Sequence, residues 1–232
     1  MPSSEIRAGR LAARRLNDRG PLGILARFIA SPAALPFVNG PAMMLPQRLG
    51  LQPEHRVLDV GCGAGALARL LHKVVRFENP PVCLDVARPM LLGADPEWTS
   101  TVQGVAGRLP LRGSSFDVVL LSHVVGMMDD GVLEASLREI RRVLKPGGIC
   151  FLWDYGPRSS RLLNRLNRAV VDDLDMPRRQ WRSAWQLASE ASDAAFARIQ
   201  VVPFGPFYWP PIPRVALMLQ RAGSSPRRRQ VE

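Results

Sequence analysis

Cysteine is scarce in this chain: three residues in 232, at positions 62, 83 and 150, with no C-x-x-C pair. That spacing excludes a zinc ribbon and offers no disulfide framework, so it fits a reducing, cytoplasmic setting. Lysine is scarcer, with only Lys73 and Lys145. A long hydrophobic run is also missing. The most apolar stretch, Leu22 to Leu45, is interrupted by Arg27, Pro32, Pro36, Asn39 and Pro41, which excludes a membrane-spanning helix. The first residues, MPSSEIRAGRLAARRLNDRG, carry charge throughout in place of the apolar core of a secretory signal. No His, Asp and Glu cluster has metal-ligand spacing, and no metal is expected.

What is present is the composition of a globular protein, 47% hydrophobic, and a length at which one core buries roughly 70% of the unfolded surface. The net charge of +11 comes from 31 basic residues against 20 acidic ones. Two readings follow: an Arg-, Ala- and Pro-rich composition without a polyanion partner, or a surface for RNA, membrane or acidic substrate. The first is adopted, so nucleic acid is not an expected partner. Arg7, Arg10 and Arg14 would share one helix face, with Ile6, Ala13 and Leu16 on the other. This basic amphipathic pattern suits a lid or a peripheral membrane contact. The expected organisation is a Pro-broken helical lid over residues 1–46, a domain over 47–222, and a basic disordered tail over 223–232.

From about Arg56 the chain alternates between apolar runs and helical periodicity. Val57 to Val60 is a strand ending in a glycine cluster, and Leu67, Leu70, Leu71 and Val74 mark a helix over Ala66 to Val75. Val82 to Val86 reads as the second strand, Pro89 to Leu92 as a short helix, and Thr101 to Val105 as the third strand. Asp117 to Ser122 is the near-continuous apolar run of a parallel strand covered on both faces. Leu133, Leu137, Ile140, Val143 and Leu144 mark a helix that must end by Lys145, before Pro146 and the Gly147-Gly148 turn. Ile149 to Trp153 reads as the fifth strand. Further helices are expected over Ser159 to Leu174 and Gln180 to Ala191, and strands over Phe196 to Val202 and Val215 to Arg221. The pattern spells a doubly wound α/β fold.

The chemistry concentrates in VLDVGCGAG, Val57 to Gly65, where a buried strand runs into three glycines at alternate positions and then a helix. Glycine admits a ligand to the backbone and tolerates positive φ. The following helix points free N–H groups and its positive dipole end at the loop. Asp85 closes the second strand about 20 residues later, where a carboxylate accepts both hydroxyls of a ribose. A nucleoside ligand is therefore expected at the carboxyl ends of the strands. Gly61, Gly63 and Ala66 also satisfy the G-x-G-x-x-G/A dinucleotide fingerprint, which keeps a nicotinamide-dependent oxidoreductase open on these residues alone.

Asp59 two residues before the first glycine, the extra Gly65, and the Leu-Lys-Pro-Gly-Gly turn give a more specific pattern. With them the chain resembles the class I S-adenosylmethionine (SAM)-dependent methyltransferases, the small-molecule methyltransferase-11 type. The resemblance runs from about Leu51 to Trp153 through VLDVGCGAG, CLDVARPML, GVAGRLPLRGSSFDVVLLS and EIRRVLKPGGICFL, in that order. It implies a Rossmann-like, seven-stranded, mostly parallel sheet with one antiparallel strand. It also implies SAM as cofactor, with S-adenosylhomocysteine as product. By the same resemblance Asp59, Gly61, Cys62, Gly63 and Gly65 shape the methionine end of the pocket, Asp85 binds the ribose and Val86 packs on the adenine. The Ala106 backbone N–H meets the adenine edge, and Val105 and Ser122 complete the cofactor-binding set.

Two departures stand out. The family's Gly-Asp-Ala after the third strand is Gly104-Val105-Ala106 here, removing a carboxylate from the adenine edge. The His pair that many relatives carry after the fourth strand is replaced by Gly126 and Met127, while His123 follows Ser122. His123 is the candidate catalytic base, because the end of the fourth strand faces the cleft and imidazole titrates near neutrality. Asp154 and Tyr155 are candidate substrate contacts, Asp129 and Asp130 candidate helix caps, and His55 and His72 structural residues. A lid is expected from Leu22, Leu25, Phe28 and Ile29 and from Asp172 to Trp185, with Trp181, Trp185, Phe207, Tyr208 and Trp209 as aromatic walls or core. The expected function is methyl transfer to an oxygen, nitrogen or carbon nucleophile of a small, apolar or planar molecule. The alternatives are an RNA-modifying methyltransferase and a non-catalytic SAM-binding protein.

Overall fold

Val57, Leu58 and Val60 are β-branched or apolar on both faces of their strand, so the strand must lie in the middle of a covered sheet. The computed structural model, which describes residues 40–157, 162–165, 179–205 and 213–223 together with Ile6 and Asn167, places it there. Strand β1 (Val57–Val60) is buried along its whole length and pairs in parallel with β2 (Val82–Asp85) and β4 (Phe116–Ser122). β3 (Ser100–Gln103) adds to β2, and β5 (Leu144–Tyr155) to β4, both parallel. β7 (Arg214–Gln220) runs antiparallel to β5 and to β6 (Arg198–Val201). The sheet order is β3-β2-β1-β4-β5-β7-β6. The chain reverses its direction of travel across the sheet between β1 and β4. At such a switch point the connections leave a crevice at the carboxyl ends of the strands.

Two apolar layers cover the sheet. On one face the helices Leu45–Arg48 (α1) and Ala66–Val75 (α2) pack Leu45, Leu67 and Leu71 on Val118, Leu120, Phe151 and Trp153. On the other, Asp130–Val143 (α4) and Ala184–Asp193 (α5) pack Leu133, Leu137, Ile140 and Leu187 on Val119, Leu121 and Leu152. A one-turn helix, Arg88–Leu91 (α3), follows β2. The cap expected near Asp129 is present: its carboxylate accepts from the Val132 N–H at 2.9 Å. Asp130 is the first residue of α4 and pairs with Arg182. His55 Nδ1 accepts from the Gln52 N–H, and His72 packs edge-on against Phe77 and Trp98, so neither enters the crevice chemistry.

Several sequence boundaries move, most by one or two residues. β5 begins at Leu144, earlier than the expected Ile149, because Leu144 already pairs with Phe116 and Lys145 binds Asp117 at 2.7 Å beside it. α5 starts at Ala184, four residues after the expected Gln180, because Ser183 and Gln186 form a reciprocal capping box there. Phe196 lies before β6 and packs into the core. Most of the expected lid (Leu22, Leu25, Phe28, Ile29 and 172–178), most of the Ser159 to Leu174 helix, Phe207, Tyr208, Trp209 and the tail from 224 lie outside the described residues. Among the described residues no helix is long and apolar enough to cross a membrane, and no group of three or more metal-ligating side chains occurs.

Candidate functional site

The turn leaving β1 is built on the backbone of β2. The Gly61 and Cys62 N–H groups both donate to the Leu84 carbonyl, at 2.8 and 3.2 Å, and the Gly63 N–H donates to Asp85 Oδ2 at 2.9 Å. Gly61, Gly63 and Gly65 all have φ between 57° and 73°. Gly61 is constrained further, because a Cβ there would stand 2.5 Å from Val124 Cγ2. The turn after β4 therefore rests directly on the glycine loop. Asp85 Oδ1 accepts from the Ala87 N–H at 2.8 Å, so each carboxylate oxygen is oriented by one backbone donor and keeps further acceptor capacity. Burial raises the Asp85 pKa, and the N–H groups of Ala87, Gly63 and Val86 oppose that rise.

Asp59 lies beneath this loop, 1% exposed, and its Oδ1 has no hydrogen-bond partner among the described residues. Its pKa is pushed up to about 7, first by burial and then by the Asp85 charge. Neither acid makes an ion pair among the described residues. The site thus presents two buried carboxyl groups, one with an unused acceptor, around a loop that admits a ligand to the backbone. The Cys62 thiol in the loop donates to the Gly63 carbonyl at 3.4 Å, and the neighbouring Cys83 thiol together with burial raises its pKa and keeps it un-ionised.

The other expected cofactor residues lie along the same edge. Val86 is half-buried just past Asp85, its carbonyl accepting from the Gln103 amide at 3.2 Å. Val105 is half-buried and bridges to Arg108, and Ala106 is fully buried. Gly104 has no room for a side chain, since a Cβ would meet Pro110 Cδ at 2.9 Å. Leu121 pairs with Val60, so Ser122 stands one residue further on, level with the start of the glycine loop.

On the other side of the crevice, His123 lies in surroundings that bear on its expected role as a base. Its pKa is pushed down to about 3: burial is the main cause, the Asp154 charge opposes it, and the Arg179 and Arg214 charges add to the lowering. The imidazole is neutral at physiological pH and does not titrate near neutrality. His123 adopts φ 54°, unusual for a residue with a side chain, and its ring lies 4.7 Å from the Tyr155 ring, centroid to centroid. Nδ1 is 3.9 Å from Asp154 Oδ1.

Arg179 and Arg182, which the sequence did not single out, hold this region together. The Arg179 guanidinium, nearly inaccessible, bonds Asp154 Oδ1 at 2.7 Å and the His123 carbonyl, and lies over the Tyr155 ring. Asp154 Oδ2 accepts from the Gly126 N–H at 2.7 Å. Arg182 donates to the Val125 and Met128 carbonyls and to Asp130. Gly126 leaves room for this arrangement, because a Cβ there would stand 3.0 Å from the Gln180 carbonyl and 3.2 Å from Arg179 Nε. Trp181 is buried and stacks on Tyr155, whereas Trp185 is 79% exposed and belongs to no aromatic wall formed by the described residues. Arginines in a basic chain carry no local pattern that marks them as buried; only Trp181 between them hinted at it.

Residues 58–152 match the model of a family described as a methyltransferase domain. Over that stretch the chain is similar to methyltransferase domains. Among its relatives is an uncharacterized methyltransferase, YcgJ, of Bacillus subtilis, 31% identical over 155 residues, covering 63% of this chain and 60% of the relative. The solved YcgJ structure superposes with a TM-score of 0.63 at 17% identity, over 79% of this chain and 98% of that one. A 2-phytyl-1,4-naphtoquinone methyltransferase of Synechocystis is 31% identical over 142 residues, 57% of this chain and 59% of its own. A tRNA N(3)-cytidine methyltransferase, METTL2 of Danio rerio, is 27% identical over 121 residues, 46% of this chain and 33% of its own. By sequence the chain spans less than two thirds of the length of each of these curated relatives.

Proposed function

We propose that the protein transfers a methyl group from SAM to an oxygen, nitrogen or carbon nucleophile of a small, planar or apolar molecule and releases S-adenosylhomocysteine. The observation that carries this reading is the pair of buried carboxyl groups, Asp59 and Asp85, around a loop whose three glycines all take positive φ. SAM brings an ammonium and a sulfonium to such a site, and Asp59 Oδ1 is an acceptor suited to the ammonium. The pyrophosphate of a nicotinamide dinucleotide would instead meet the Asp59 charge, which disfavours the oxidoreductase alternative.

In this reading Asp85 holds the ribose hydroxyls. Gly61, Cys62, Gly63 and Gly65 supply backbone contacts, while Val86, Val105, Ala106 and Ser122 line the adenine and methyl sides. Bound SAM supplies an electrophilic methyl group, and the protein's contribution is to align the acceptor and exclude water. A histidine with a pKa near 3 is a weak proton acceptor, so His123 orients the acceptor by a hydrogen bond and the nucleophile arrives already ionised or uncharged. The stacked Tyr155 and Trp181 rings offer a planar acceptor an aromatic floor, and the naphthoquinone methyltransferase relative supports that class. Residues 47–222 form the cofactor domain, 1–46 the lid, and the setting is cytoplasmic.

Thermal unfolding with SAM, S-adenosylhomocysteine and NAD tests the cofactor. At about 100 times its Kd a ligand adds about 2.7 kcal/mol, which raises Tm by about 5 to 10 °C in a chain of this size. A rise with the two sulfur ligands alone is expected, and a rise with NAD alone would overturn the reading. The charge of +11 and the METTL2 match favour RNA as the second acceptor class. RNA affinity falling steeply with salt would establish that alternative.

A further inference from the structure

The turn after β4 lies between two functional regions. Its Val124 packs on Gly61 of the cofactor loop, and its His123 packs on Tyr155 at the end of β5. Its backbone is strained at His123 (φ 54°), so neighbouring contacts must hold it in place. The carbonyl of His123 accepts from Arg179, and the N–H of Gly126 donates to Asp154, the carboxylate that Arg179 grips. The two ends of one short turn are thus tied to the two members of one buried ion pair, whose side chains are 1% and 5% exposed.

We propose that Arg179 is a positioning residue of the acceptor side: by gripping the His123 carbonyl and the Asp154 carboxylate together, it fixes the turn after β4 and sets the His123 imidazole against Tyr155, beside the glycine loop. Both bonds are donated by one guanidinium nitrogen, Nη2, while the planar group lies over the Tyr155 ring; a lysine ammonium has no such plane to set against the ring. That the turn borders an acceptor rests on the methyltransferase reading; the clamp itself does not. Among the described residues the groups facing His123 are Trp153, Asp154 and Tyr155 from β5, Arg179 from the segment before α5, and Arg214 from β7. Removing the Arg179 charge takes away one of the two guanidinium groups that oppose Asp154, 3.9 Å from Nδ1, so the proton affinity of His123 should rise.

The full chain contains three histidines, 55, 72 and 123, so ring-labelled histidine gives a spectrum with three assignable Cε1–H resonances. In the wild type the His123 resonance should be displaced by the Tyr155 ring current and show no titration between pH 4.5 and 8.5. In Arg179→Gln it should lose that displacement, and its midpoint should rise by about one unit or more. The His55 and His72 resonances and the Tm gain with S-adenosylhomocysteine should stay as in wild type. Arg179→Lys, which keeps the charge but not the planar group over Tyr155, should still displace the His123 resonance alone. An unmoved His123 resonance in both variants would show that packing alone holds the ring and would overturn the proposal. So would loss of all three native resonances in both variants, which would make Arg179 a general element of the fold. Failure of S-adenosylhomocysteine to stabilise the wild type would count against the function and leave the clamp to be judged by the resonances.

Discussion

Replacing Asp59 with Asn should make the protein more stable and bind its cofactor less well, because the acid is buried without a compensating charge. An isolated carboxyl group has a pKa near 3.8, and in the fold Asp59 is raised to about 7. Between those values the folded chain holds a proton that the unfolded chain has released, so stability falls as pH rises through this window and levels off above pH 7. At about 1.36 kcal/mol per unit the penalty reaches about 4 kcal/mol at pH 8. Asn removes it but places an amide N–H beside the same loop, leaving a net gain of about 1 to 3 kcal/mol, or about 3 to 10 °C in Tm. Below pH 4 the acid is neutral in both states and the advantage should disappear. Cofactor affinity should fall by about 10- to 100-fold, the worth of a hydrogen bond to a charged group. Thermal unfolding of both proteins from pH 4 to 8.5, with and without S-adenosylhomocysteine, reads both effects. An Asn variant less stable at pH 8, or a difference independent of pH, would refute the reasoning.

Gly61→Ala forces a methyl group onto Val124 and an alanine into positive φ, so it should cost about 1 to 3 kcal/mol in Tm measurements and abolish stabilisation by S-adenosylhomocysteine. A variant that still binds would place the cofactor elsewhere. Asp85→Ala strips the Gly63 and Ala87 N–H groups of their acceptor as well as removing the ribose contact. Calorimetric titration should show at least a tenfold weaker Kd for S-adenosylhomocysteine, and an unchanged Kd would mean that another acid holds the ribose.

The two halves of the crevice differ in how they are built. On the cofactor side the ligand-binding pattern is nearly contiguous: Asp59 to Gly65 form one strand-to-turn passage, and Asp85 follows at the end of the next strand. Strand periodicity, the conformational freedom of glycine and the dipole of α2 act within a few residues of one another, so one stretch of text specifies them. Resemblance to a family implied seven strands with one reversed; the strand order, and that β7 is the reversed one, are seen in the fold, since no local pattern records which strands pair.

The acceptor side is assembled from distant segments. His123, Asp154 and Arg179 are separated by 31 and 25 positions and meet because β4 and β5 are neighbours and the chain before α5 crosses their carboxyl ends. Sequence marked His123 as a residue able to titrate near neutrality. Burial and two nearby guanidinium groups decide otherwise, because a proton's binding energy depends on the dielectric and the charges around it and not on chain neighbours. For the same reason Arg179 is indistinguishable in sequence from the many exposed arginines of this basic chain. The sequence by itself determined a cofactor loop and the alternation that folds it; the tertiary structure alone decided which charges face one another across the crevice.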